Sequence, residues 1–168
     1  MIYLKRIVSA TDFEPYYMLK CQEDAVLWSG FMTKPDKDRL YNHFIHNIIS
    51  DNRILIYYMY DSDNENPQEV IGYGQLTKTD SGGIEFSAAN IFKKFQGCMY
   101  FQDLSKMIID EAVKLGYTSI IGWASEKNKP AIINLRINKF KKTDEFEERE
   151  MKAFNETHKF YKWIKEIK

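Results

Sequence analysis

The sequence predicts an α/β (α+β) fold in one domain, with a mixed, mostly antiparallel sheet flanked by four helices. Its length of 168 residues is that of one compact domain. Segments with strand-like alternation and segments with helical spacing follow one another in the order β-α-α-β-β-β-α-β-α-β-β, which is typical of a sheet covered by helices. No repeat, low-complexity tract or break in composition divides residues 1–168.

In the first half of the chain, capping residues and apolar spacing define the elements. Thr11 or Asp12 is a suitable N-cap for a first helix, and the pattern Thr33–Asp36 opens a second. The second helix carries Leu40, Phe44 and Ile48 on one face and should end near residues 50–52. Strands are predicted at residues 2–8, 53–60, 69–79 and 84–92, with a hairpin turn at 80–83.

In the second half, residues 97–115 form the strongest helix of the sequence. Leu104, Ile108 and Ala112 keep helical spacing, and Gly116 follows as a left-handed cap. Asn128 is the expected N-cap of a shorter helix. The remaining predicted elements are a strand at 118–124, that helix at 129–138, and closing strands at 140–151 and 158–167.

Composition excludes several classes of function. The 24 basic and 24 acidic residues cancel, whereas a protein that follows nucleic-acid phosphates normally has a basic excess. Cys21 and Cys98 have no spacing typical of zinc or of a disulfide framework. The longest apolar run, residues 54–60, is too short to cross a bilayer, and the N-terminus has charge where a signal peptide is apolar. The sequence therefore predicts a cytoplasmic protein without a metal, nucleic-acid or membrane partner.

Residues 128–140 carry a resemblance to a known family. Asn128, Ala131 and Phe140 match the pattern N-x-x-A-x-x-L-Y-x-x-x-G-F of the GNAT superfamily of N-acetyltransferases. Its leucine, tyrosine and glycine are replaced by Asn134, Leu135 and Lys139. The order of elements also resembles that family from end to end. The resemblance implies one GNAT-like acyltransferase domain over residues 1–168, with acetyl-CoA as the acyl donor.

The resemblance places the acetyl-CoA pyrophosphate at the start of the helix predicted over 97–115. The family pattern Q/R-x-x-G-x-G/A falls on residues 96–101, where Gln96 fits but Met99 and Phe101 replace small residues. Small residues suit such a loop because backbone N–H groups must approach phosphate oxygens closely. A frame shifted to residues 94–99 contains Lys94 and Gly97 and leaves Met99 at its last position. An ordinary helix start is the alternative to both frames. The implied cofactor-binding residues are Ala89, Asn90, Ile91, Lys94, Gln96, Gly97, Cys98, Met99, Tyr100, Phe101, Asn128 and Ala131.

The resemblance also suggests how the transfer is catalysed. An amine must be neutral to attack a thioester, so a general base is expected. Glu85 lies on the strand that runs beside the acetyl group in the family, although a solvated carboxylate is the alternative. His43, on the helix that helps to roof the acceptor site, is a second candidate. Backbone N–H groups at 89–91, where the family strand bulges, would polarise the acetyl carbonyl.

The tyrosine that protonates the leaving thiolate in the family is Leu135 here. Either the thiolate leaves unassisted or another group donates the proton. The nearest candidates in the sequence are Tyr100, Ser125 and Asn134. His158, at the start of the last predicted strand, is expected to be structural or exposed.

The acceptor side is less defined by the sequence. Trp28 and Ser29, together with Glu85, are the predicted substrate-binding residues. The acidic run at 144–150 is either a solvated strand face or a surface that attracts a cationic substrate. The predicted acceptor is a primary amine, either an amino sugar, which could be nucleotide-linked, or a peptide amine, and a homodimer is left open. The alternatives are a non-catalytic GNAT-like module that binds CoA or another ligand, and transfer from a longer acyl-CoA or a carrier protein.

Overall fold

The computed structural model describes all 168 residues, which form seven strands and five helices. The predicted fold class is confirmed, and the structure adds one short helix, α2, that the sequence pattern did not indicate. The elements are β1 (Ile2–Arg6), α1 (Phe13–Lys20), α2 (Glu23–Trp28), α3 (Lys37–His43, continued by a π-helical segment Phe44–Ile49), β2 (Ile54–Asp61), β3 (Gly72–Lys78), β4 (Ile84–Ile91), α4 (Tyr100–Lys114), β5 (Ser119–Ser125), α5 (Lys129–Ile137), β6 (Lys141–Met151) and β7 (Glu156–Glu166). None of the helices combines the length and the apolar character needed to cross a membrane.

The strands form one sheet in the order β1-β2-β3-β4-β5-β7-β6. Neighbouring strands are antiparallel except for β4 and β5, which are parallel. Glu85 and Ile121 are the one residue pair that joins β4 to β5. Beyond this pair the two strands separate, and a gap opens in the middle of the sheet.

A β-bulge in β4 lies just beyond that pair. Gln75 of β3 stands opposite Ala88, but the next residue, Leu76, stands opposite Phe86, so Ser87 is an extra residue in β4. The Ser87 hydroxyl is hydrogen-bonded to Thr77 Oγ1 at 2.8 Å and to the Gln75 carbonyl oxygen at 3.2 Å. The predicted position of the bulge, 89–91, is therefore wrong. The extra residue is Ser87, whose short polar side chain finds hydrogen-bond partners where the ladder is interrupted.

Two separate cores cover the two faces of the sheet. On the face covered by α4 and α5, here called the α4 face, large buried residues include Leu76, Leu104, Ile108, Ile120, Phe140 and Trp163. On the face covered by α1 and α3, here called the α1 face, they include Phe13, Tyr16, Phe44, Tyr58 and Tyr73. Each core fixes a different set of helices against the same sheet.

Helix α4 packs directly onto the backbone of β3 at Gly74, which has no side chain to separate them. A Cβ atom at Gly74 would lie 2.5 Å from Ile108 Cγ1, which no packed side chain tolerates. The predicted apolar face of α4 is confirmed, since Leu104, Ile108 and Ala112 are fully buried. Gly116 follows the helix with a φ of +92°, as its predicted role as a left-handed cap requires.

The caps of two helices can be compared with the sequence pattern. Asn128 caps α5 as predicted, with its Oδ1 accepting from the Ala131 N–H at 3.3 Å. Helix α3 is capped by Asp36, whose Oδ1 accepts from the Arg39 N–H at 2.9 Å, and it begins at Lys37. The capping pattern therefore belongs to the last residue of Thr33–Asp36 and not to its first.

Lys139 occupies the position after α5 where the family pattern has glycine, and its φ is +66°. A side chain with a Cβ costs about 1–2 kcal/mol in this left-handed conformation, whereas glycine adopts it freely. We therefore expect Lys139→Gly to raise the free energy of unfolding by about 0.5–1 kcal/mol in urea titrations, after the greater entropy of glycine in the unfolded chain is subtracted. The control, Lys139→Ala, keeps the Cβ and should give no gain. Equal gains in both variants would contradict the explanation.

Candidate active site

A cleft of about 690 Å³ lies where β4 and β5 separate. Ala89, Phe101 and Ala131 line it from the α4 face, and Tyr73 and Ala88 line it from the α1 face. A smaller cavity of about 150 Å³ adjoins it on the α4 face. The gap in the sheet therefore connects two compartments, one on each face.

One end of the cleft is formed by the start of α4. The backbone N–H groups of residues 97–102 make no hydrogen bond within the protein, and the first bonded N–H is that of Asp103, which donates to the Met99 carbonyl at 3.0 Å. Gly97 has a φ of +84°, and Gly97, Cys98 and Phe101 line the cleft. Six consecutive free donors at the positive end of a 15-residue helix form a site suited to an anion such as pyrophosphate.

The two bulky residues of this segment do not close the site. The Met99 side chain is 61% exposed and lies outside the cleft wall. The Phe101 ring is half-buried, packs against the core of the α4 face and forms part of the cleft wall. Both side chains therefore leave the backbone donors accessible, which explains how the segment can depart from a small-residue pattern.

Two glutamines fix the turn that leads from β4 to α4. Gln22 Nε2 and Gln96 Nε2 each donate to the Ile91 carbonyl at 3.0 Å, and Gln22 Oε1 accepts from the Lys93 N–H at 2.8 Å. Gln22 was not predicted as a site residue, because no local pattern indicates a contact between residues about 70 positions apart. Its amide ties the junction of α1 and α2 to the end of β4.

The backbone of β4 beyond the bulge has one donor available toward the gap. Along an antiparallel strand, residues whose backbone bonds to the neighbouring strand alternate with residues whose backbone points away from it. The Phe92 N–H donates to the carbonyl of Ile71, just before β3. The backbone N–H and C=O groups of Ile91 and Ala89 therefore point away from β3. The Ile91 N–H donates to Asn90 Oδ1 at 2.9 Å, and Asn90 Nδ2 donates to the Leu19 carbonyl at 3.3 Å. Of the residues 89–91, Ala89 therefore keeps a backbone N–H directed into the gap.

Lys94 and Tyr100 lie outside the cleft wall. Lys94 forms an ion pair with Glu69, and its ammonium lies 5.1 Å from the centre of the Phe95 ring. The Tyr100 hydroxyl donates to Asp61 Oδ2 at 2.9 Å, and burial together with this carboxylate raises the pKa of Tyr100. Both residues position the start of α4, and Tyr100 does not face the cleft.

The two candidate bases lie in different surroundings. Glu85 is half-buried at the one pair that joins β4 and β5. Burial raises the pKa of its carboxyl group, the Arg149 guanidinium opposes this shift, and Glu147 adds to it. Glu85 lies beside the cleft without forming part of its wall, and Arg149 belongs to that wall. His43 is exposed on α3 and does not line the cleft.

The wall on the α1 face combines aromatic rings with three charges. Trp28 and Ser29 line it, as do the charged residues Lys20, Asp24 and Arg149. The Lys20 ammonium lies 5.4 Å from the centre of the Tyr73 ring, and the Arg149 guanidinium lies 4.4 Å from that of Phe160. Besides Trp28, the aromatic rings in the wall on this face are Tyr73, Trp123 and Phe160. The acidic run of β6 is exposed, and within it Glu147 pairs with Arg149 at 3.0 Å.

The remaining wall is formed by the end of β5 and the start of α5. Asn128 and Ala131 line the cleft, and Leu135 lines the adjoining cavity, where its Cδ2 would lie 3.3 Å from a Cβ at Gly122. Ser125 also lines the cleft, and its hydroxyl lies 2.9 Å from Nδ1 of His158. His158 is fully buried, so of the two alternatives given for it, structural or exposed, the exposed one is excluded.

Solved structures with the same fold come from several bacteria. A spermidine N-acetyltransferase from Vibrio cholerae, in complex with CoA and spermine, matches with a TM-score of 0.78 and 16% identity over 98% of this chain and 95% of its own. YncA from Salmonella typhimurium, with its cofactor acetyl-CoA, matches with a TM-score of 0.71 and 14% identity over 99% of this chain and 94% of its own. A probable GNAT-family acetyltransferase from Chromobacterium violaceum has a TM-score of 0.74, 14% identity and coverages of 98% and 87%.

Neither the models of protein families nor the curated proteins give a match to this chain. The likeness is therefore one of three-dimensional structure, and it extends over nearly the whole of this chain and of each of these solved structures. Together with the separated central strands and the open start of α4, it shows that this chain has the fold of the GNAT acetyltransferases.

Proposed function

We propose that this protein is an acetyl-CoA-dependent N-acetyltransferase that transfers the acetyl group to a primary amine by direct attack. The six free N–H groups at the start of α4 carry the proposal, because they are placed at the cleft that runs through the gap between β4 and β5. In this assignment residues 97–102 hold the pyrophosphate of acetyl-CoA, and the Ala89 N–H polarises the acetyl carbonyl.

The acceptor is proposed to enter from the α1 face, between Trp28 and Phe160. The solved Vibrio cholerae relative is a spermidine N-acetyltransferase that binds spermine, and this supports a small amine as the acceptor. An amino sugar or a peptide amine fits the same compartment, where aromatic rings stand beside Lys20, Asp24 and Arg149. A stacked ring or sugar face would suit these walls.

Glu85 is proposed to take the first proton from the incoming ammonium group, directly or through water. Its raised pKa brings the carboxylate closer to the range in which a base is effective at neutral pH. The Arg149 guanidinium, on the cleft wall, partly offsets the negative charge of Glu85 when its carboxyl group is ionised. His43 is not part of the proposed mechanism, because it lies on the exposed side of α3.

A non-catalytic module that binds CoA or another ligand is the second candidate. Leu135 favours it, because leucine cannot protonate a thiolate at the position where the family has tyrosine. The two candidates differ in one measurement, the release of free thiol from acetyl-CoA in the presence of a panel of amines.

The cofactor assignment predicts that acetyl-CoA raises the melting temperature and binds in calorimetry, because a ligand that binds the folded state stabilises it. Gly97→Ala should weaken this binding about tenfold or more, since a side chain at φ +84° forces the donor segment to move.

Gly82→Ala is the matched control for that variant. Gly82 also has a φ of +84° and open space around it, but it lies in the turn between β3 and β4. It should lower stability by a similar amount and leave the affinity for acetyl-CoA unchanged. No binding to the wild-type protein, or equal losses of affinity in both variants, would refute the assignment of residues 97–102.

The proposed base predicts that Glu85→Gln lowers kcat about 10²-fold or more, while the affinity for acetyl-CoA stays nearly the same. Steady-state thiol release and calorimetry on the same preparations measure the two quantities. Glu148→Gln, which changes an exposed carboxylate of β6, is the control and should leave kcat unchanged. A Glu85→Gln enzyme with the wild-type rate between pH 6 and 9 would return Glu85 to a structural role.

The raised pKa of Glu85 also predicts a pH dependence of stability. The folded state holds the proton more tightly than the unfolded state, so the free energy of unfolding decreases as pH rises from about 4.5 through the folded-state pKa. Glu85→Gln removes this penalty, so its melting temperature should exceed that of the wild type at pH 7 and approach it at pH 4. Thermal melts across this range measure the difference, and an identical pH dependence of both proteins would contradict it.

A further inference from the structure

Ser125, His158 and Glu156 form a continuous hydrogen-bonded chain that starts at the cleft wall. Ser125 Oγ lies 2.9 Å from His158 Nδ1, and His158 Nε2 lies 2.9 Å from Glu156 Oε2. Lys127 Nζ donates to the same Glu156 oxygen at 2.7 Å. Ser125 lines the cleft at the end of β5, so the chain joins the cleft to an ion pair at the surface.

The direction of these hydrogen bonds follows from the charge of Glu156. The Lys127 ammonium, followed by His158, holds the pKa of the Glu156 carboxyl below its usual range, so this group is an acceptor. His158 Nε2 must then carry the hydrogen, and Nδ1 of the neutral ring presents a lone pair. The Lys127 backbone N–H donates to Ser125 Oγ at 3.2 Å, and the Ser125 hydroxyl hydrogen is directed at Nδ1.

The surroundings of His158 favour one role for its ring. The imidazole is fully buried, and the rings of Phe154 and Trp28 lie 4.9 Å and 6.2 Å from it. The charged groups around it are Glu156 on its own strand, Lys127 on the loop after β5, and Arg149, its cross-strand partner on β6. A proton arriving at Nδ1 would be stabilised by the Glu156 carboxylate at Nε2, as in other histidine–carboxylate pairs.

The other candidates for this proton transfer have their polar groups engaged elsewhere. The Tyr100 hydroxyl donates to Asp61, outside the cleft. The Asn134 side chain is hydrogen-bonded to Ser105 and Asn138, and an amide is no acid. Leu135 carries no proton to donate. Ser125 is the hydroxyl of the cleft wall that has a base behind it.

We propose that Ser125, with His158 and Glu156 behind it, carries the second proton of the acceptor nitrogen to the departing thiolate. This inference rests on the proposed acetyl transfer and supplies the proton transfer that the missing tyrosine leaves open. As the N–C bond forms, the nitrogen gives its proton to Ser125 Oγ, and the hydroxyl proton moves to His158 Nδ1. As the C–S bond breaks, the sulfur takes a proton from Oγ, and Nδ1 returns its own. The chain ends the cycle in its starting state.

In this mechanism Ser125 is a catalytic residue, and His158 and Glu156 act through it. Ser125→Ala should lower kcat at least tenfold while the affinity for acetyl-CoA stays close to that of the wild type. Because Ser125 is 1% exposed and is hydrogen-bonded to the buried His158 ring, this variant should also melt at a lower temperature, so kcat is measured well below that temperature. Ser125→Thr keeps a hydroxyl at the same position and should recover most of the rate. Ser105→Ala, which removes a buried hydroxyl of α4 outside the cleft wall, should leave kcat unchanged.

The split between rate and stability separates this role from a merely structural one. A structural role would lower the melting temperature of Ser125→Ala and Ser105→Ala alike and leave kcat of both folded variants unchanged, whereas a proton carrier is needed in every turnover. A Ser125→Ala enzyme with the wild-type kcat would overturn the proposal, and so would a Ser125→Thr enzyme as slow as Ser125→Ala.

Acetyl-CoA calorimetry distinguishes this failure from that of the proposed function. If the wild-type protein binds acetyl-CoA and acetylates an amine, the Ser125 variants test the inference alone. If it does not bind acetyl-CoA, or binds it and releases thiol only at the background rate with every amine, both the transfer and the proton path are overturned.

Discussion

The separation of β4 from β5 after a single residue pair is the feature on which the rest of the site depends. A sheet of seven strands normally satisfies its backbone donors and acceptors strand by strand, and a gap in its middle exposes them. Here the polar groups of Ile91 are taken up by Asn90, Gln22 and Gln96, while the N–H of Ala89 stays available. The gap thus becomes a passage between the two faces of the sheet. Among residues 89–91, the backbone N–H of Ala89 is the one that is directed into it.

The cleft at this gap also leaves the first N–H groups of α4 open to solvent or to a ligand. A helix end needs partners for its first N–H groups, and an unpartnered helix end is stable only where solvent or a ligand reaches it. Gly74 lets α4 approach the sheet closely, and the Tyr100 hydroxyl ties its first turn to Asp61. These contacts hold the free donors at the mouth of the cleft and allow the exposed side chain of Met99 to replace a small residue.

A shared fold does not determine the acceptor. The solved structures match this chain at TM-scores of 0.71–0.78 but at only 14–16% identity, so the match shows a shared fold and says nothing of the cleft side chains. In this chain the α1 face presents aromatic rings, two cations and one carboxylate. The hydrogen-bonded chain behind Ser125 likewise depends on residues of β5 and β7 that meet only because the two strands pair, with Ser125 opposite Phe160.

The sequence by itself determined the order of the seven strands and of all the helices except the short α2, the apolar face of α4, the caps at Asn128 and Gly116, and the resemblance to the acetyltransferase fold. These depend on local periodicity and on residues near in the chain, which a single sequence displays. Only the tertiary structure decided where β4 bulges, that Gln22 supports the turn before α4, that Tyr100 turns away from the cleft, and that His158 is buried against Ser125. Each of these depends on contacts between residues at least 10 positions apart. Such contacts are fixed by the pairing of strands and the packing of helices, which leave no periodic signal in the chain.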